Sequence, residues 1–390
     1  MGTTPTSATT VSDKSGNDGN LSEVAGSALV PQTGTDGHDK GGNNGQFSSD
    51  NSKSAATSSS IYSGGWKDLV FEAHRSQGLN NDCICTIINS LRESTRKQYT
   101  VYIDKFLSFS NFQNLSTFHP AEVDVINFLQ SLYDSGLSYS VINTASSAIK
   151  TFLELINYPI TFTSRFVRFK KGCFNLRPTL PRYVATWDPQ IVLNYFDRPS
   201  SELSLYELTC KCVTLLALAS YQRVSTLHAI RFSDLKLTCD KAVISFSSLH
   251  KQSRPGKHLT GLEFDSFPNS NVCVVNALKA YVDATSLIRT EHTLSSFFVT
   301  CVKPYRAASK DTIARWIKVS IHKAGVPDNF SAHSTRSAST SADAARGVDV
   351  VSILKKAGWS SSSTFYRFYN KPIQHYYSGL FLVLDLRPCH

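Results

Sequence analysis

His333 and Arg336 stand three residues apart in Ala332-His333-Ser334-Thr335-Arg336, in a stretch free of Gly and Pro as far as Arg346. Residues at that spacing share one face of a helix, so an imidazole and a guanidinium would point at the same place. A guanidinium offers a fork of donors to a phosphate, and a histidine can move a proton near neutral pH. Further along, a Tyr-rich segment ends at Tyr369, and a tyrosine can supply a nucleophilic oxygen. Together these groups suit chemistry on a phosphodiester. Two polar residues at helical spacing are by themselves the ordinary make-up of a solvated face. The weight comes from what lies upstream.

The apolar segment Cys212-Val213-Thr214-Leu215-Leu216-Ala217-Leu218-Ala219 reads as a helix, and Gln222-Arg223-Val224-Ser225 closes it. Arg223 therefore sits where that helix meets polar sequence. Ala242 to Leu249 reads as a strand, followed by a Pro255-Gly256 turn and a second short run, Leu259 to Phe264. This is a β-hairpin with Lys251 near its tip.

Arg, hairpin Lys, His-x-x-Arg, Gly358-Trp359 and Tyr, in that chain order, resemble the tyrosine recombinase (phage-integrase-like) family. The resemblance covers about Leu91 to Pro372. Gly136-Leu137-Ser138-Tyr139-Ser140-Val141-Ile142-Asn143 and Ala357-Gly358-Trp359-Ser360-Ser361 are worded most like recombinases of eukaryotic mobile elements of the DIRS, Ngaro and Crypton types. The resemblance implies a mainly α fold. An N-terminal helical core-binding (SAM-like) DNA clamp would precede a mixed α/β, mostly helical catalytic domain with a small β-hairpin or sheet. It also implies DNA cleavage and rejoining through a 3′-phosphotyrosyl intermediate, by the recombinase of a mobile element.

In that reading Arg223 and Arg336 bind the non-bridging phosphate oxygens. Lys251 protonates the leaving 5′-oxygen, with Lys257 across the same turn as its rival, and His333 is the acid/base at the phosphate. Trp359 stands where many family members carry a second histidine; its indole N–H can donate a hydrogen bond but cannot transfer a proton. Tyr369 is the expected nucleophile. The family offset from the His/Trp position is nine residues, whereas Tyr369 lies ten beyond Trp359 and Tyr366 seven, so Tyr366 stays a competitor. The chemistry calls for no metal and no cofactor.

The 390 residues carry a net charge of +10. Residues 1–60 hold three lysines against six acidic residues, a net of −3, which leaves +13 on the remainder. A basic globular part favours a polyanionic partner, and double-stranded DNA is the expected one. Nine cysteines at scattered spacings form no zinc set and suggest reduced thiols in an intracellular protein. No secretory signal or membrane-length apolar run is legible, so a soluble protein is expected, nuclear if the source is eukaryotic.

Residues 1–62, rich in Ser, Thr, Gly, Asn and Asp, read as a disordered tail. Residues 63–158 read as the helical DNA domain. Tyr99, Tyr102, Ile103, Phe106 and Leu107 make one stripe, after a Ser94-Thr95 cap. Val125, Phe128, Leu129, Leu132 and Tyr133 make a second, after Pro120 and before Gly136. Val141 to Ile156 make a third. Ser94, Arg96, Lys97 and Lys150 are candidates for phosphate contacts. Residues 159–188, with Pro159, Pro178 and Pro181, read as a linker crossing the DNA. Its basic run Arg165 to Lys171 fits a buried connector as well as a localisation signal. Residues 189–375 read as the catalytic domain, with a further strand at Ser296 to Thr300 and a helix capped by Asp311 and ended by Gly325. Residues 376–390 read as a C-terminal tail that, in the resembling family, packs on a neighbouring subunit of a homo-oligomer, a tetramer on paired sites. Two other functions compete: a type IB topoisomerase, and a domesticated element-derived protein that binds DNA without cutting it.

Overall fold

The computed structural model describes residues 65–113, 119–247, 253, 255–256 and 261–374. The chain divides into two compact units, Met1–Leu180 and Pro181–His390. The expected tails and both hairpin lysines, Lys251 and Lys257, lie outside the described residues.

The first unit contains α1 Trp66–Arg75, α2 Asn81–Ile88, α3 Glu93–Phe112, α4 Glu122–Asp134, α5 Tyr139–Leu155 and α6 Ser164–Leu176. Its core joins the expected stripes. Ile103 and Phe106 meet Val125, Phe128 and Leu129, and Ile142, Ile149 and Phe152 complete the layer. The Trp66 indole donates to Thr100 Oγ1 at 2.8 Å and pins α1 on α3. The helix starts differ by a residue or two from expectation. α3 begins at Glu93 without a side-chain cap, and α4 begins after Ala121, whose N–H donates to the Asp124 carboxylate at 2.7 Å. Gly136, at φ +88°, takes the left-handed turn that lets α4 stop and α5 start after Ser138.

The stretch expected as a linker holds α6. Its prolines flank residues 164–176 without interrupting them, and Phe166, Phe169 and Cys173 fall on one apolar face. Glu122 fixes its start by accepting from Thr163 N at 2.7 Å and from Arg165 Nη2 at 2.9 Å. Arg177 fixes its end, donating to the carbonyls of Tyr133 (3.1 Å) and Leu137 (2.7 Å) with its guanidinium 4.1 Å from the Tyr133 ring centre. The first unit thus reaches beyond residue 158, and the basic run Arg165 to Lys171 lies within its last helix.

The second unit runs β1 Thr186–Trp187, α7 Pro189–Phe196, α8 Leu205–Ser220, α9 Val224–His228, β2 Leu235–Leu237, β3 Lys241–Ser245, β4 Gly261–Asp265, α10 Val274–Ser286, α11 Glu291–Leu294, α12 Lys310–Lys323, α13 Ser334–Ala345, α14 Val350–Ala357, α15 Ser362–Phe368 and β5 Ile373–Gln374. α8 is the central post, buried along most of its length and packed by α10, α12 and α13. The expected hairpin is β3 with β4, and a third strand, β2, pairs on the far side of β3. Its Leu-Lys-Leu is too short to show a period in the sequence. Ile244 aligns with both Leu235 and Leu262, which buries one face of the sheet. At Ser296 to Thr300 the structure has only an isolated bridge, Val299 to Ala307. α12 is capped by Ser309, which accepts from Thr312 N at 3.1 Å; Asp311 sits in its first turn. β1 and β5 pair in parallel, tying the end of the described chain to the start of the unit.

Candidate active site

α13 is buried although its sequence, Ser-Thr-Arg-Ser-Ala-Ser-Thr-Ser-Ala-Asp-Ala-Ala, is nearly all small and polar. Small side chains let its backbone come close to its neighbours, and most of its buried hydroxyls find partners, Ser339 Oγ being left without one. Trp187 Nε1 donates to Ser334 Oγ at 2.8 Å, and Ser334 donates to the Ser331 carbonyl at 2.7 Å. These bonds hold the helix start, where His333 is the exposed N-cap residue.

Arg336, one turn further, is 0 % exposed. Its Nη1 donates to the Tyr221 carbonyl at 2.6 Å and its Nη2 to the Ala357 carbonyl at 2.7 Å. Its Nε is buried without a partner. The guanidinium carbon lies 4.4 Å from the ring centre of Trp359 and 5.4 Å from that of Tyr369. Burial first, and then the positive charge of Arg223, push its pKa down to about 9, while Tyr369 acts the other way. It is still a cation at pH 7. Among the described residues no carboxylate pairs with it.

Arg223 sits half-buried at the N-cap of α9. It reaches that place because α8 ends in Tyr221 at φ +55°, an uncommon left-handed conformation for a non-glycine residue. Two bonds hold the turn: the Tyr221 hydroxyl donates to Asp343 on α13, and Gln222 Nε2 donates to the Lys356 carbonyl at 2.9 Å. Burial and the Asp343 carboxylate raise the Tyr221 pKa, so its hydroxyl stays protonated and can donate.

Gly358 ends α14 at φ +70°, and the turn delivers Trp359 to the cluster. Trp359 is 8 % exposed, and its Nε1 is a second buried donor without a partner. Its ring packs 4.5 Å from that of Tyr369. Tyr369, the C-cap residue of α15, is half-exposed with its Oη 3.3 Å from His333 Nε2. Tyr366 is 56 % exposed, and its ring packs 5.2 Å from that of Phe365. The structure therefore brings His333, Arg336, Trp359 and Tyr369 together with Arg223 beside them. It does not bring Tyr366.

The remaining candidates lie in the first unit. Ser94, Arg96 and Lys97 occupy the first turns of α3, where Arg96 donates to Asn89 Oδ1 at 2.7 Å and Lys97 pairs with Glu93 at 2.8 Å across two exposed side chains. Lys150 is exposed on α5. Exposed pairs of this kind are worth little to stability. Sequence reasoning missed Tyr221, Asp343, Ser337 and Ser341. The one visible signal was the run of Ser and Thr after His333.

The sequence model of the phage integrase family matches residues 198–375. No curated protein matches the chain. Among solved structures, the Tn1549 transposon integrase in complex with transposon right end DNA is similar, at 13 % identity and a TM-score of 0.51, covering 78 % of this chain and 94 % of its own. The XerH site-specific recombinase bound to palindromic difH substrate is similar at 15 % identity and a TM-score of 0.51, covering 78 % and 92 %. At such identities the likeness concerns the fold.

Proposed function

We propose that this chain, a member of the phage integrase family through residues 198–375, is a tyrosine recombinase that cleaves and rejoins DNA through a 3′-phosphotyrosyl intermediate. One observation carries the reading. A buried cation lacks an anionic partner among the described residues, and two orphaned donors, Arg336 Nε and Trp359 Nε1, lie under a tyrosine whose oxygen faces a histidine. Leaving a buried donor unsatisfied costs about 1–3 kcal/mol, and a buried unpaired charge costs more. A phosphate would supply the missing negative charge and acceptors for both donors.

In this mechanism Arg336 and Arg223 hold the non-bridging oxygens, and Trp359 donates to one of them. Tyr369 Oη attacks phosphorus and passes its proton to His333 Nε2. The bond from phosphorus to the 5′-oxygen breaks, and that oxygen takes a proton from Lys251. The tyrosyl ester keeps the bond energy, so the 5′-hydroxyl of another strand can attack and release Tyr369. Ser94, Arg96, Lys97 and Lys150 would meet the DNA backbone, as part of the steeply salt-dependent binding of a basic protein. The Tn1549 neighbour supports a mobile-element setting. Exchange between two paired sites would engage four copies of the chain, in the nucleus if the source is eukaryotic.

The test is covalent trapping on a nicked suicide substrate. Tyr369→Phe should form no adduct while binding DNA as the wild type does, and Tyr366→Phe should form it normally. An adduct from Tyr369→Phe would overturn the assignment.

A further inference from the structure

The last carbonyls of a helix have no intrahelical donor and must be satisfied from elsewhere. At the end of α15 the carbonyl in question is that of Tyr369, and two hydroxyls of α13 serve it. Ser337 Oγ donates at 3.0 Å and Ser341 Oγ at 2.7 Å, and Ser341 Oγ in turn accepts from Lys371 N at 3.0 Å. The two serines are one turn apart on the helix that also carries Arg336, and both are buried.

This use of hydroxyls is not the ordinary one. A buried helical Ser or Thr commonly donates to a carbonyl three or four residues back in its own helix. Thr340 does so toward Arg336, and Thr335 reaches back three residues to the Ala332 carbonyl just ahead of the helix, both at 2.8 Å. Ser337 and Ser341 instead donate across to the segment that carries the phenol. The chain beyond is also tied down: Thr186 N donates to the Pro372 carbonyl at 2.8 Å, Lys371 Nζ donates to the Tyr183 carbonyl, and β5 pairs with β1.

We propose that Ser337 and Ser341 are positioning residues that fix the Tyr369 backbone, so that its phenol arrives in line with a phosphate held at Arg336 of the same chain. The inference rests on Tyr369 being the nucleophile. Arg336 and the two serines sit on α13 with His333 at its N-cap, so the proposed acid/base, phosphate clamp and anchor of the nucleophile share a single frame. Misplacement of a reacting group by about 1 Å can cost on the order of 10²-fold in rate.

The experiment compares the full-length wild type with Ser337→Ala, Ser341→Ala and the double variant. Adduct formation at saturating nicked DNA should fall about 10- to 100-fold in the double variant, with DNA affinity unchanged. A second readout leaves the tyrosine out. In a Tyr369→Phe background, a DNA end bearing a 3′-p-nitrophenyl phosphate is joined when a 5′-hydroxyl attacks phosphorus and nitrophenolate departs. The serine substitutions should leave that joining rate unchanged. A wild-type adduct rate in the double variant would overturn the proposal, and so would an equal fall in both readouts, which marks a general structural role. If Tyr369→Phe alone still forms an adduct, the nucleophile reading fails instead.

Discussion

α8 and α13 pack on each other and are both buried along most of their length, yet α8 is mainly apolar, with Thr209, Lys211, Thr214 and Ser220 as its buried polar residues, and α13 mainly polar. α8 presents Val213, Leu215, Leu216, Ala217 and Leu218, and α13 presents Ser334, Thr335, Arg336, Ser337, Ser339, Thr340 and Ser341. Apolar burial is strong but has no direction, whereas a hydrogen bond holds its partner within tenths of an ångström. The difference separates two tasks. α8 keeps the unit folded, and α13 keeps a few atoms in place.

Substitutions can break that contrast. The largest expected effect is on α8. Leu216→Ala should lower stability by about 2–5 kcal/mol, seen as a reduced midpoint in urea, while adduct formation per folded molecule stays as in the wild type. Next comes Arg336→Ala on α13, which should slow adduct formation by about 10²–10³, measured well below the unfolding temperature. A normal rate there would show that the buried cation serves packing alone. The smallest effect sharpens the distinction within α13. Thr340→Val removes a hydroxyl that serves its own helix, so stability should fall by about 1 kcal/mol with no change in adduct rate. A clear loss of rate would mean that the helix's internal bonds position the phenol as much as its outward ones do.

What was legible in the sequence follows from range. Ile142, Ala145, Ala148, Ile149 and Phe152 of α5, and Ile313, Trp316, Ile317 and Ile321 of α12, are buried where their spacing put them, because helical periodicity is local. α6 was hidden by flanking prolines and a basic run that reads as solvated surface until Phe166, Phe169 and Cys173 are seen as one face. The meeting of His333, Arg336, Trp359 and Tyr369 was expected from the resemblance of their order along the chain to that of the tyrosine recombinase family. The bonds that hold it were not. Ser341 and Tyr369 are 28 residues apart, and Tyr221 and Asp343 are 122 apart. No local pattern specifies which carbonyl or carboxylate a hydroxyl will meet.

The two carbonyls held by Arg336 belong to Tyr221, two residues before Arg223, and to Ala357, two residues before Trp359. One planar group therefore spans three segments that are remote in sequence, and it sets the spacing of the parts it works with. Lysine at this position would keep the charge, but a single ammonium on a flexible stem cannot match a rigid fork that reaches two fixed acceptors while keeping Nε for a third. The requirement at residue 336 is thus one of shape as much as of charge: the side chain proposed to hold the phosphate is also the gauge to which the surrounding loops are set.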